Sequence, residues 1–188
     1  MLRKLTRHVL LAVLWSSLFP AENLIAQDLQ PRKAPTLTVV NPGILTAVRG
    51  KSENVEIEFR VPAGFHVNSN KPHSEFLIPT TLKMTAPTDI VIGGVNYPPG
   101  QDTNFPFAPT DKLSVYGRQF SISFGIRPLS TVIPGNYAVH GNLKYQACDN
   151  ATCYPPKLLP VNFQIKVVKS TVESKGTKNP AQSPHAHR

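Results

Sequence analysis

Beyond its first twenty residues this sequence has no long apolar run and no convincing helical stripe, and it holds two cysteines and a single tryptophan. Each shortage excludes something. Without a stretch near the roughly 20 apolar residues that cross a bilayer as a helix, no membrane span is expected after the N-terminus. Two cysteines are too few for a disulfide-dense secreted knot or for a Cys-only zinc site, so whatever they do they do as a pair. Charged residues make up only 16% of the chain against 40% hydrophobic, which argues against wholesale disorder and against a coiled coil. A length of 188 residues makes one folded domain the default.

What is present begins with an export pattern. Arg3, Lys4 and Arg7 precede an apolar stretch from Val9 to Leu18, and a polar break follows through Pro20, Glu22 and Asn23. This is the layout of a secretory signal peptide, 1–26, with cleavage near Ala26 or Gln27. The only tryptophan, Trp15, leaves with it. Residues 27–36 read as a short polar linker. Residues 170–188, with Pro180, Pro184, His185 and His187, read as a disordered basic tail, too poor in apolar surface to offset the entropy of ordering.

The formal charge of +9 belongs largely to the ends. Residues 37–169 carry 12 basic and 8 acidic side chains, scattered singly, which leaves that segment at +4. Nucleic-acid binding calls for a clustered basic stripe with interleaved aromatics, and none is visible.

Within 37–169 the dominant period is two. Val55, Ile57, Phe59 and Val61 alternate with Glu56, Glu58 and Arg60; Phe120, Ile122, Phe124 and Ile126 alternate with Ser121, Ser123 and Gly125. Tyr137 to Ala147 and Leu159 to Val167 keep the same parity, and shorter runs fall at 37–40, 76–84 and 90–97. Turn signals separate them at Asn41-Pro42-Gly43, Pro98-Pro99-Gly100 and Pro134-Gly135-Asn136. About seven strands in such a length imply an all-β, immunoglobulin-like antiparallel β-sandwich, because a single sheet would leave its apolar face wet. The cysteines lie too close in sequence to pin two sheets together.

Those cysteines occupy Tyr145-Gln146-Ala147-Cys148-Asp149-Asn150-Ala151-Thr152-Cys153-Tyr154-Pro155-Pro156. With turn chemistry between them they face each other across the mouth of a hairpin, where opposed Cα atoms come within disulfide range. A ring of about six residues contributes only about 2 kcal/mol in the loop-entropy account, so the bond is poorly placed as a staple. An accessible disulfide at a rim bracketed by Tyr145 and Tyr154 has the profile of one that exchanges. Redox exchange, a structural disulfide, and a metal site recruiting His66, His73 or His140 all remain open on spacing alone.

The run YQACDNATCYPP, followed by an alternating strand, resembles the active-site segment of the N-terminal periplasmic domain of the thiol:disulfide interchange protein DsbD, an immunoglobulin-like domain whose cysteine pair relays electrons. Phe65-His66-Val67-Asn68-Ser69-Asn70-Lys71-Pro72 resembles an early motif of that family, and Tyr116-Gly117 part of the loop that caps its cysteines. The resemblance implies that Cys148 and Cys153 are the redox pair. It also implies that Leu113, Val115, Tyr116 and Gly117 belong to a shielding loop, although Val115 stands where the family has its capping aromatic. DsbD continues into a membrane electron-transfer domain and a thioredoxin-like domain. This chain shows neither, so the expected partners are separate thioredoxin-like or DsbD-type membrane redox proteins, together with thiol or disulfide protein substrates.

The remaining candidates have plain readings. His66 and His140 lie in or beside strands and receive no role. Asp111 and Asp149 read as turn residues. Asn150-Ala151-Thr152 matches a glycosylation sequon, but a glycan there would block the cysteines. The expectation is a periplasmic or secreted thiol-disulfide exchange module without a cofactor. Its rival is a non-catalytic β-sandwich binding module in which the same bond rigidifies a recognition hairpin.

Overall fold

A computed structural model of the chain describes residues 33–40 and 42–170. The export segment 1–26, most of the 27–36 linker and nearly all of the 170–188 tail lie outside the described residues. Twelve strands form three four-stranded sheets among those residues, with no helix.

The first sheet joins β1 (Thr38–Val40), β3 (Glu53–Arg60), β9 (Gln119–Pro128) and β6 (Ile90–Asn96), in the order β1-β3-β9-β6. The second joins β2 (Ile44–Val48), β12 (Lys157–Val168), β10 (Gly135–Tyr145) and β5 (Thr81–Thr85), in the order β2-β12-β10-β5. In each long strand one parity is sealed and the other is wet. Ile57, Phe59, Ile122 and Phe124 from the first sheet, and Val139, Leu143 and Ile165 from the second, are fully buried in one apolar cluster. Each such side chain contributes roughly 1.5–3 kcal/mol by leaving water, which is why the alternation specifies the sandwich.

All pairings in these sheets are antiparallel except β2 with β12, which run parallel. The chain enters along β3 as β1 and then crosses to the other sheet as β2. Gly43 at the crossover has φ +76°, a conformation that favours glycine, so the turn expected at this point is the place where the chain switches sheets.

The expected architecture is present, an immunoglobulin-like β-sandwich, with twelve strands where periodicity suggested about seven. The difference is mostly one additional sheet. It consists of β4 (His66–Asn68), β7 (Gln101–Phe105), β8 (Ala108–Tyr116) and β11 (Ala147–Cys148), in the order β11-β4-β8-β7. Its strands are very short or polar, so none of them shows an apolar period. Val67, Ala147 and Tyr116 turn one face of this sheet into the main core.

Candidate functional site

The cysteines sit at the edge of this third sheet. A tight turn spans Asp149 to Thr152, closed by the Asp149 N–H donating to Thr152 O at 2.9 Å. Asp149 Oδ1 accepts the N–H groups of Ala151 (2.7 Å) and Thr152 (2.9 Å), and its Oδ2 accepts the Tyr154 hydroxyl at 2.7 Å. One carboxylate thus folds the tip and ties it to the strand beyond. The Tyr154 N–H donates to Ala147 O at 2.8 Å, so Cys148 and Cys153 occupy the directly opposed pair between two hydrogen-bonded rungs. Their Cα atoms are 4.0 Å apart and a disulfide joins them.

The two residues are unequal. Cys148 is fully buried, while Cys153 is half-buried. The expected solvent-reachable pair is therefore reachable from the Cys153 side only.

On its other flank Cys148 pairs with His66 of β4. Directly opposed residues on neighbouring strands project from the same face, about 4.7–4.9 Å apart in the pairing direction, so His66, Cys148 and Cys153 rise side by side in one row. Phe105 lies over that row. Its ring stacks on the His66 imidazole with centroids 3.9 Å apart, and Phe107 stacks behind it at 5.6 Å. Phe105 ends β7, far along the ribbon from the point where β8 meets β4, so the β7–β8 hairpin bends back to bring its tip over the histidine. Phe105, Leu113 and Val115 form a small separate apolar cluster with Leu77, Phe107 and Ala108 packed against it.

The residues expected to form a shielding loop divide. Leu113, Val115 and Tyr116 are strand residues of β8, and all three are buried. Leu113 and Val115 support the folded-back tip. Tyr116 points the other way, into the main core. Its hydroxyl donates to Asn70 Oδ1 at 2.7 Å, stands 3.0 Å from Pro98 O and accepts the Asn70 N–H at 3.2 Å. Burial raises its pKa above the usual tyrosine value, with the Asn70 hydrogen bond opposing. Gly117 follows the strand. The aromatic tip missed in the sequence is Phe105-Pro106-Phe107, two aromatics in an otherwise polar ribbon. The expected rim also needs correction. Tyr145 is a core residue whose hydroxyl donates to Pro35 O (3.1 Å) and accepts the Leu37 N–H (3.3 Å), because its parity on β10 faces inward. Tyr154 does flank the pair but is buried, with its ring edge towards Phe65.

A polar belt holds the row in place. Gln146, just before the cysteine strand, accepts Asn68 Nδ2 (2.9 Å) and the Ile78 N–H (3.1 Å) at Oε1, and its Nε2 donates to Tyr154 O (3.2 Å). Asn68 Nδ2 also donates to Ile78 O, and Thr80 Oγ1 donates to Asn68 O. Where the 98–100 turn meets this belt the backbone approaches closely. A Cβ on Gly100 would press on Ser114 Oγ and Ser69 Cβ, so any larger residue there requires those serines to shift.

His66 is almost completely buried, and its Nε2 has no hydrogen-bond partner. Burial lowers its pKa to about 4, with the Asp149 charge acting in the opposite direction, so the ring is neutral near pH 7. The other histidines considered for a metal lie elsewhere. His73 Nε2 stands 2.8 Å from Asp102 Oδ1, and His140 Nδ1 stands 2.9 Å from Asn162 Oδ1, both exposed.

Fold and site together define a β-sandwich domain with a cross-strand disulfide under an aromatic hairpin tip. The family described as thiol:disulfide interchange protein DsbD, N-terminal, matches residues 35–163, and the chain belongs to that family. No curated protein sequence matches it. Among solved structures it is similar to the DsbD N-terminal domain of Neisseria meningitidis in the reduced form, at 19% identity over 61% of this chain and 78% of that one, with a TM-score of 0.38. It is also similar to the N-terminal periplasmic domain of ScsB from Proteus mirabilis, at 14% identity over 67% of this chain and 43% of that one, TM-score 0.40. A ScaB type I cohesin from Pseudobacteroides cellulosolvens aligns at 15% identity over 80% of this chain and 98% of that one, TM-score 0.44.

Proposed function

We propose that the chain is an exported thiol-disulfide interchange module that exchanges two electrons with separate partner proteins through Cys148 and Cys153. The observation that carries this reading is a disulfide between opposed hairpin residues with one half-buried member, in a chain of this family. A partner thiolate attacks Cys153 Sγ, a mixed disulfide forms, the Cys148–Cys153 bond breaks, and its electron pair leaves on Cys148 Sγ. The partner's second thiolate then attacks its own sulfur in the mixed disulfide and releases Cys153. Partner dithiol becomes disulfide and this chain's disulfide becomes dithiol, two electrons and two protons having passed. The reverse sequence delivers them to a disulfide substrate. The greater exposure of Cys153 supports it as the sulfur attacked.

Phe105 and Phe107, in place of the loop expected at 113–117, serve as the shield over the reduced pair, with Leu113 and Val115 as its footing. The fitting partners are thioredoxin-like or DsbD-type membrane redox proteins, met in the periplasm or outside the cell.

Full burial of Cys148 favours the rival reading of a structural bond in a binding module, and one experiment separates the two. The purified protein is equilibrated in thiol redox buffers, free thiols are trapped, and exchange with a thioredoxin-like dithiol is followed. Exchange, with a potential above about −300 mV, supports the interchange module. A potential far below that value without exchange establishes the structural bond.

A further inference from the structure

We propose that His66 is a positioning residue for Cys148: its Nε2 is the group that receives the Cys148 sulfur when the disulfide opens, holding the released thiolate through an N–H···S hydrogen bond. This inference rests on the interchange reading and deepens it.

The step described above leaves negative charge on the sulfur of a fully buried residue. A charge released in such a place needs a donor at hand, because water does not reach it. Three observations point to His66. It is the lateral neighbour of Cys148, on the same face and in the same row. It is about 94% buried, at 6% exposure, under the ring of Phe105. Its Nε2 is buried without a partner while the cysteines are joined, an arrangement that leaves a polar atom wanting in the oxidised state and satisfies it in the reduced one. Opening the S–S bond frees the Cys148 side chain to turn about χ1 towards that nitrogen.

The groups that face the imidazole are few. The cysteine hairpin brings Cys148, Cys153 and Asp149, whose carboxylate is held by the Tyr154 hydroxyl and two backbone N–H groups. β7 brings Phe105, which carries no charge. While the disulfide is closed burial keeps the ring neutral, and as its Nε2–H tautomer it gives a hydrogen bond to the released thiolate and keeps its own proton. The bookkeeping of the exchange is unchanged: the electron pair rests on Cys148 Sγ and no proton leaves the histidine.

The test uses His66→Phe, which retains the ring stacking on Phe105, and His66→Gln, which restores an N–H donor. Two readouts are taken on the full chain. The first is the midpoint of the pH titration of the Cys148 thiolate, followed by its ultraviolet absorbance in a Cys153→Ser background. The second is the equilibrium with a glutathione redox buffer. His66→Phe is expected to move the thiolate midpoint up by about one pH unit and to shift the redox equilibrium about tenfold towards the disulfide, about 30 mV. His66→Gln is expected to recover part of both. A His66→Phe protein that still exchanges, with midpoint and equilibrium unmoved or a midpoint moved down, overturns the role of His66 alone. Absence of exchange in the unaltered protein overturns the interchange reading on which it stands.

Discussion

In the two-sheet sandwich, Ile57, Phe59, Ile122 and Phe124 interlock across alternating strands, and the strands hold their places because each inward residue leaves water. In the third sheet, β4 is three residues long and β11 two, and their positions depend on Gln146, Asn68 and Thr80 exchanging hydrogen bonds with backbone groups. The first region is apolar, redundant and tolerant of single polar losses at its surface. The second has few bonds, each with one job. On the interchange reading, the bond that opens and closes sits in the region of shorter strands, where local opening costs least.

The comparison can be broken most directly from the sandwich side. Phe124→Ala empties the sealed centre and is expected to cost about 3–5 kcal/mol in urea unfolding, with the cysteines no more reactive than before until the whole domain opens. Gln146→Ala attacks the other region. It leaves Asn68 Nδ2 and the Ile78 N–H short of an acceptor, for an expected cost of about 1–3 kcal/mol. Unlike the core change, it is expected to accelerate hydrogen exchange at β4 and β11 selectively. Equal exchange throughout the domain would erase the distinction between the regions.

Cys148→Ser combined with Cys153→Ser is expected to lower stability by no more than about 2 kcal/mol, since the ring it opens is short. A double variant that does not fold would mean that the hairpin is a staple after all. Phe105→Ala is expected to move the unfolding midpoint less than Phe124→Ala does, while the reduced pair is oxidised several-fold faster by small oxidants. Unchanged oxidation would remove the shield.

A further effect is one of pH. Because the folded His66 titrates near 4 and the unfolded one near 6.5, the unfolded chain binds the extra proton between those values. Stability from this residue is therefore complete above about pH 6.5 and declines as pH falls towards 4, and His66→Phe is expected to flatten that part of the unfolding curve.

Much of the sandwich was legible because its signal is local. Val55 to Val61 and Phe120 to Ile126 show their buried face by parity alone, and the Pro42-Gly43 turn marks a real break. The third sheet was not. His66-Val67-Asn68 is buried on both faces and so shows no period, while the ribbon 101–112 is polar at both ends around the unbroken run Phe105 to Pro109 and shows no alternation. Tyr145 was misread as rim because it adjoins the cysteine segment in sequence, when its parity on β10 turns it inward. The capping aromatic was sought at Val115, within β8 itself, whereas the ring stacked on His66 comes from Phe105 on a bent hairpin.

The sequence by itself determined the sandwich class and a cysteine pair facing across a hairpin, since alternation and turn chemistry act over a few neighbouring residues. Tertiary structure alone decided that Cys148 is sealed and Cys153 reachable, and that a histidine some eighty residues upstream lies beside the sealed sulfur beneath a phenylalanine from another hairpin. Those relations depend on the register between distant strands, which is settled only when all the sheets compete for the same buried surface.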